Sequence, residues 1–154
     1  MTTEATLLTI IKGGRILLQR KASGRFGEGK WNGVGGKIRP GETPEECAGR
    51  ETLEETGLRV RNLTPIGTLR HYFGDVQEPT WTVHHYSTGE YTGEPKGSDE
   101  GELRWFPLDR IPYDEMWQDD RHWLPHQIEG RRFTGDFYFN EDGSVLLDYK
   151  LSVA

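Results

Sequence analysis

"GKIRPGETPEECAGRETLEETGL", residues 36–58, decides how the rest of the chain is read. A glycine-rich approach runs into a segment with helix signals at both ends. Thr43 is an N-cap, Pro44 suits the first helical position, and Glu46 completes a T-x-x-E capping box. Gly57 fits the position just past the end, where a left-handed backbone favours glycine. Between these limits Glu51, Glu54 and Glu55 fall within an arc of about 100°. Glu51 and Glu55 stand at i,i+4, a like-charge spacing that costs roughly 0.2–0.5 kcal/mol. Only Cys47, Ala48 and Leu53 are clearly apolar, with Leu53 roughly opposite the carboxylates, so the helix is poorly amphipathic. Two explanations compete: a solvated acidic face partly neutralised by Arg50, or a cation held among the carboxylates. The run "GGKIRPGE" brings glycine backbone and Glu42 beside that face, which favours the cation. Mg²⁺ takes oxygen ligands in octahedral geometry, and carboxylates one turn apart with a glycine carbonyl supply such a set. Mn²⁺ is a possible substitute.

The whole chain sets bounds. Its 154 residues suit a single domain, 1–154, long enough to bury about 70% of its unfolded surface. No apolar run approaches the length of a membrane span, and "MTTEATLLTIIKGG" lacks the basic start of a signal peptide. Cys47 is the only cysteine, so a reducing cytoplasm is the expected compartment. Net charge is −6, and six of the 25 acidic residues lie between Glu42 and Glu55. That balance argues against a nucleic-acid polymer as partner. A small anionic substrate remains compatible when a divalent cation neutralises the acidic patch. A monomer is expected.

Elsewhere, "ATLLTII" and "RILLQR" read as a hairpin across "KGG". Residues 23–36 read as a glycine-rich loop interrupted by aromatics. Further strands are expected over 59–72, 80–91 and 101–106, and a second helix over about 120–129, where Pro125 limits regularity. "RRFTGDFYFNEDGSVLLDYKL" predicts a closing hairpin turning at Asp142-Gly143. The fold class is mixed, α/β or α+β. "GRFGEGKW", residues 24–31, is rejected as a P-loop because tryptophan stands where Ser or Thr must bind Mg²⁺. His122 and His126 are rejected as a zinc pair, since Trp123 and Pro125 break the pattern.

Gly36, Glu42, then Arg50-Glu51-x-x-Glu54-Glu55-x-Gly57-Leu58 resembles the Nudix box. Thr52 departs from it, standing where the family has an aliphatic residue. The resemblance implies an α/β/α sandwich with a mixed β-sheet between helices, and Mg²⁺-dependent cleavage of a nucleoside diphosphate linked to another group. It implies metal binding by Glu51, Glu54, Glu55 and the Gly36 carbonyl, with Glu55 orienting or deprotonating the attacking water. Arg50 and Glu42 brace loop against helix through an ion pair.

The box leaves the substrate open: a nucleoside triphosphate, a dinucleoside polyphosphate, a nucleotide sugar, or a catalytically silent binding module. "WNGVGGKI", "SDE", "MWQDD" and "GDFYF" resemble the MutT-homologue branch that hydrolyses oxidised purine nucleoside triphosphates, sanitising the nucleotide pool. Residue chemistry points the same way. A purine needs flat apolar walls, for which Phe26, Trp81, Trp117 and Trp123 are candidates, and polar groups matching its edges. Asp119, Asp120 and Asn32 are those groups. The aspartates have a plainer reading as helix caps. The resemblance places Asn32, Asp119 and Asp120 in the base pocket, Thr6 and Lys21 near the nucleotide, and Glu100 as an additional metal-site carboxylate. A proton shared within the buried aspartate pair is expected to admit both 8-oxoguanine and 2-hydroxyadenine.

Overall fold

A computed structural model describes residues 2–154. The first hairpin forms as expected, β1 (Thr3–Lys12) turning into β2 (Arg15–Lys21). After it come β3 (Trp31–Asn32), β4 (Val34–Lys37) and the capped helix α1 (Pro44–Thr56). β5 (Arg59–Arg61), β6 (Thr64–Phe73), β7 (Trp81–Thr88), β8 (Glu90–Thr92) and β9 (Gly101–Pro107) follow. Helix α2 (Asp120–Ile128) precedes the terminal hairpin of β10 (Phe133–Phe139) and β11 (Leu146–Val153). Two expected strands are each divided: 59–72 into β5 and β6, and 80–91 into β7 and β8. β5 and β8 pair with each other in a separate two-stranded sheet.

Nine strands form one mixed sheet in the order β11-β10-β6-β7-β1-β2-β3, with β4 on β1 and β9 on β2. β1 runs parallel to β7, and β10 runs parallel to β6. β1 and β2 pair only from Ile10↔Leu17 to Lys12↔Arg15. Beyond that they part: β1 takes β4 as its neighbour from Leu8↔Val34 to Ala5↔Lys37, and β2 takes β3. The wedge between the parted strands opens the cavity described below.

The sheet is covered on both faces, which explains the unbroken apolar runs of β1 and β2. On one face Leu8, Ile10 and Leu17 pack with Ala48 of α1 and Leu58. On the other, Ile16, Leu18 and Leu69 pack with Trp123 and Leu124 of α2 and with Phe133, Phe137 and Phe139. The expected sandwich of helix, mixed sheet and helix is therefore present.

α1 has both halves of its capping box: Thr43 Oγ1 accepts from Glu46 N at 3.1 Å, and Glu46 Oε1 accepts from Thr43 N at 2.9 Å. Gly57 sits at φ 77° and donates its N–H to Leu53 O. The buried stripe differs from expectation. It comprises Cys47, Ala48, Thr52, Glu55 and Thr56, whereas Leu53 is 37% exposed. Thr52 fits without strain because its hydroxyl donates to Ala48 O at 2.7 Å, the i−4 bond open to threonine in a helix.

Candidate active site

Glu55 lies at the inner edge of α1 and is 3% exposed. The sequence reading set it in one arc with Glu51 and Glu54. The helix instead turns it inward toward β2, because the Cys47–Thr52–Thr56 stripe sets which side faces the sheet. Neither Glu55 oxygen has a hydrogen-bond partner, and its nearest cation is Lys21, Nζ to Oε1 3.6 Å. Burial first, then the neighbouring Glu51, pushes the Glu55 carboxyl up to about 8. Lys21 stands equally close to Glu100, at 3.6 Å, and Arg25 reaches Glu100 at 3.1 Å.

Arg50 braces the loop. It donates Nε to Glu42 Oε2 at 2.6 Å and Nη2 to Glu42 Oε1 at 3.0 Å, a two-pronged pair. Its hydrogen bonds hold the Glu42 carboxyl down to about 2. The same guanidinium donates Nη1 to Glu51 Oε1 at 2.9 Å and lies 3.3 Å from Glu54. Glu54 is half exposed and does not reach the cavity. Gly36 faces Glu51 so closely that a Cβ there would stand 2.5 Å from the carboxylate carbon.

A cavity of about 460 Å³ runs from these carboxylates to α2. Its lining includes Thr6, Lys21, Asn32, Gly36, Glu51, Glu55 and Glu100 together with Phe26, Trp81, Trp117, Trp123, Asp119 and Asp120. Phe26, 60% exposed, stacks against Trp117 at 5.3 Å and Trp81 at 5.7 Å, closing one side. Asp119 occupies the N-cap position of α2 yet makes no side-chain cap bond. Its Oδ2 instead accepts from Trp123 Nε1 at 2.9 Å and lies 3.1 Å from His71 Nε2. Those donors hold the Asp119 carboxyl below its usual range, against the effect of burial. Burial and the charge of Asp119 hold Asp120 well above its own, and Asp120 Oδ2 is buried without a partner.

The NUDIX domain model matches residues 1–127. The chain belongs to the Nudix family. It is 44% identical to the oxidized purine nucleoside triphosphate hydrolase of Danio rerio over 95% of this chain and 92% of that one. Against the protein of the same name from Mus musculus identity is 40%, with the same coverage. Among solved structures, a MutT protein of Bacillus halodurans superposes with a TM-score of 0.86 at 29% identity, over 97% of each chain. This Nudix protein is accordingly a hydrolase of the family that uses divalent cations.

Among the described residues, no three Asp, Glu, His or Cys side chains converge as a ready-made ligand cluster. Arg50 holds Glu51 and Glu54 in hydrogen bonds, and Lys21 stands between Glu55 and Glu100. The residues nonetheless fit a hard cation. Two buried, orphaned carboxylate oxygens on Glu55 neighbour Glu51, which in turn adjoins Gly36, so carboxylate and backbone oxygens make an all-oxygen donor set.

The cavity also holds Arg25, His71, Phe73 and Phe139, which the sequence reading did not single out, and His85. Three of them alternate along β6 and β7 with outward-facing neighbours. The apolar phase Leu69-x-His71-x-Phe73 was the available signal, and a polar residue on an inward phase marks it.

Proposed function

We propose that this Nudix hydrolase cleaves oxidised purine nucleoside triphosphates such as 8-oxo-dGTP and 2-hydroxy-dATP to the monophosphate and pyrophosphate, removing damaged nucleotides from the pool. One observation carries the reading: a single cavity joins the half-buried Glu51 and the buried Glu55 to a buried aspartate pair, Asp119 and Asp120. The first end suits a triphosphate chain and the second a base edge. The names of the Danio rerio and Mus musculus relatives support the same substrate class.

The aromatic walls would hold the base, with stacking on the order of 1–3 kcal/mol per ring. Asn32, Asp119 and Asp120 would read its edges, and Lys21 and Arg25 would face the phosphates. Glu51, Glu55 and the Gly36 carbonyl would hold Mg²⁺, with Glu54 and Glu100 further out. Bound there, the cation would neutralise charge on the phosphates and lower the pKa of a water. The water oxygen forms a new bond to phosphorus as the bridging P–O bond breaks. The electron pair of that bond stays on the bridging oxygen, which departs with the product whose phosphorus is not attacked, and the proton of the water passes to a carboxylate oxygen of Glu55.

Steady-state kinetics with pyrophosphate detection test the reading, using 8-oxo-dGTP, 2-hydroxy-dATP, dGTP, dATP, a dinucleoside polyphosphate and a nucleotide sugar. The oxidised purine triphosphates are expected to give the highest kcat/KM. Highest kcat/KM on the polyphosphate or the sugar, or nucleotide binding without Mg²⁺-dependent turnover, would overturn it.

A further inference from the structure

Asp119 has only one oxygen left for a ligand. Its Oδ2 accepts from Trp123 Nε1 at 2.9 Å and faces His71 Nε2 at 3.1 Å. Indole nitrogen can only donate, so Oδ2 is an acceptor, and the Nε2-protonated tautomer of His71 completes its second bond. His71 is fixed in turn by rings of β10, with Phe137 and Phe139 each at 6.0 Å. Beside it, Asp120 Oδ2 is buried and has no partner. The remaining charged or titratable neighbours of the pair are Lys30, Tyr113 and the buried His85.

From this geometry, and resting on the purine reading above, we propose that His71 is a specificity-determining residue. By donating Nε2–H to Asp119 it fixes the negative charge there and the proton on Asp120, and so biases the pocket toward 6-aminopurine edges over 6-oxopurine edges. The edges differ in what they ask of two carboxyls. Adenine, and 2-hydroxyadenine in its hydroxyl tautomer, offer one N6–H donor and the N1 acceptor, which Asp119 Oδ1 and the Asp120 hydroxyl match without moving a proton. A guanine-type base offers N1–H and N2–H side by side with the O6 acceptor. It needs both oxygens of one carboxylate beside one acid hydroxyl. Asp119 cannot supply two oxygens, and transferring the charge to Asp120 strips Oδ2 of its match to two donors. 2-Hydroxyadenine is therefore the better base and 8-oxoguanine the poorer, by about tenfold, the scale of one charge-assisted hydrogen bond.

Binding of the four monophosphates 2-hydroxy-dAMP, dAMP, 8-oxo-dGMP and dGMP, measured by calorimetry without metal, tests this apart from turnover. The wild type is expected to favour each 6-amino member over its 6-oxo counterpart. His71→Phe, which keeps a ring between Phe137 and Phe139, should lower that ratio about tenfold. His71→Gln, which restores an N–H donor, should recover part of it. An unchanged ratio in a His71→Phe protein of normal thermal midpoint would overturn the inference, as would equal shifts in both variants. A measurement on the wild type alone decides the matter if a variant fails to fold. Carboxyl and imidazole NMR should show Asp119 ionised, Asp120 protonated and a hydrogen on His71 Nε2, and the reverse assignment of the two carboxyls sinks the idea. Absence of binding by every purine nucleotide would count against the proposed function itself, a different outcome from binding with an unchanged ratio.

Discussion

Glu55 is a buried carboxylate whose two oxygens have no hydrogen-bond donor, beside one lysine at 3.6 Å. Such a group destabilises its own charged form unless a cation arrives. Glu55→Gln removes the proton acceptor but keeps the volume. We expect kcat to fall at least about 100-fold, while the thermal midpoint stays level or rises. Turnover equal to wild type would contradict the role given to Glu55. His85 offers a stability test at the same scale. It is buried against Trp123 with neither ring nitrogen bonded, and burial holds its pKa near 3, below the ordinary 6.5. A lowered folded-state pKa means its contribution is full above pH 6.5 and is lost as pH falls toward 3, because the unfolded chain takes the proton first. Between pH 6.5 and 5 the loss is about 2 kcal/mol. Denaturant unfolding of the wild type should show that slope, and His85→Phe should flatten it. Parallel slopes in the two proteins would assign the acid sensitivity elsewhere.

Helix α1 and strand β4 work as one element at the site, and their two glycines do different jobs. A Cβ on Gly35 would stand 1.8 Å from Thr6 O, which is backbone of the neighbouring strand. A Cβ on Gly36 would meet the Glu51 side chain, which can swing aside. Gly35→Ala should therefore cost about 3 kcal/mol or more of stability by forcing β1 and β4 apart. Gly36→Ala should keep most of its stability but lose activity, since it displaces Glu51. Thermal unfolding and kcat/KM on both variants check the contrast. The limits of α1 were legible because Thr43, Glu46 and Gly57 act through local hydrogen bonds and backbone conformation. Its buried face was not, since Thr52, Glu55 and Thr56 do not look apolar. Their burial follows from where α1 crosses β1 and β4. β3 and β4 were hidden for a similar reason: "WNGVGGK" has weak strand propensity, and its pairing is imposed by β1 and β2.

Across the whole molecule, the cavity exists because β1 and β2 separate after three paired residues and admit β3 and β4. That wedge brings Asn32 and Gly36 between the acidic end of α1 and the aspartates of α2. The motif in residues 36–58 made the hydrolase family readable, and the aromatic and aspartate segments pointed to side chains that line the same cavity. What stayed hidden were His71 and His85. Their place in the cavity depends on the phase of β6 and β7 against α2, set by the distant pairing of β10 with β6. We propose one cation site on Glu51, Glu55 and the Gly36 carbonyl, and one base site on Asp119 and Asp120, engaged by one nucleotide. Anomalous scattering from Mn²⁺ in crystals grown with a non-hydrolysable purine nucleoside triphosphate measures it most directly. A metal peak in contact with the Glu51 and Glu55 carboxylates and the phosphates is expected, with the base edge against the aspartate pair. A peak elsewhere, with those carboxylates still bound to Arg50 and Lys21, would contradict it.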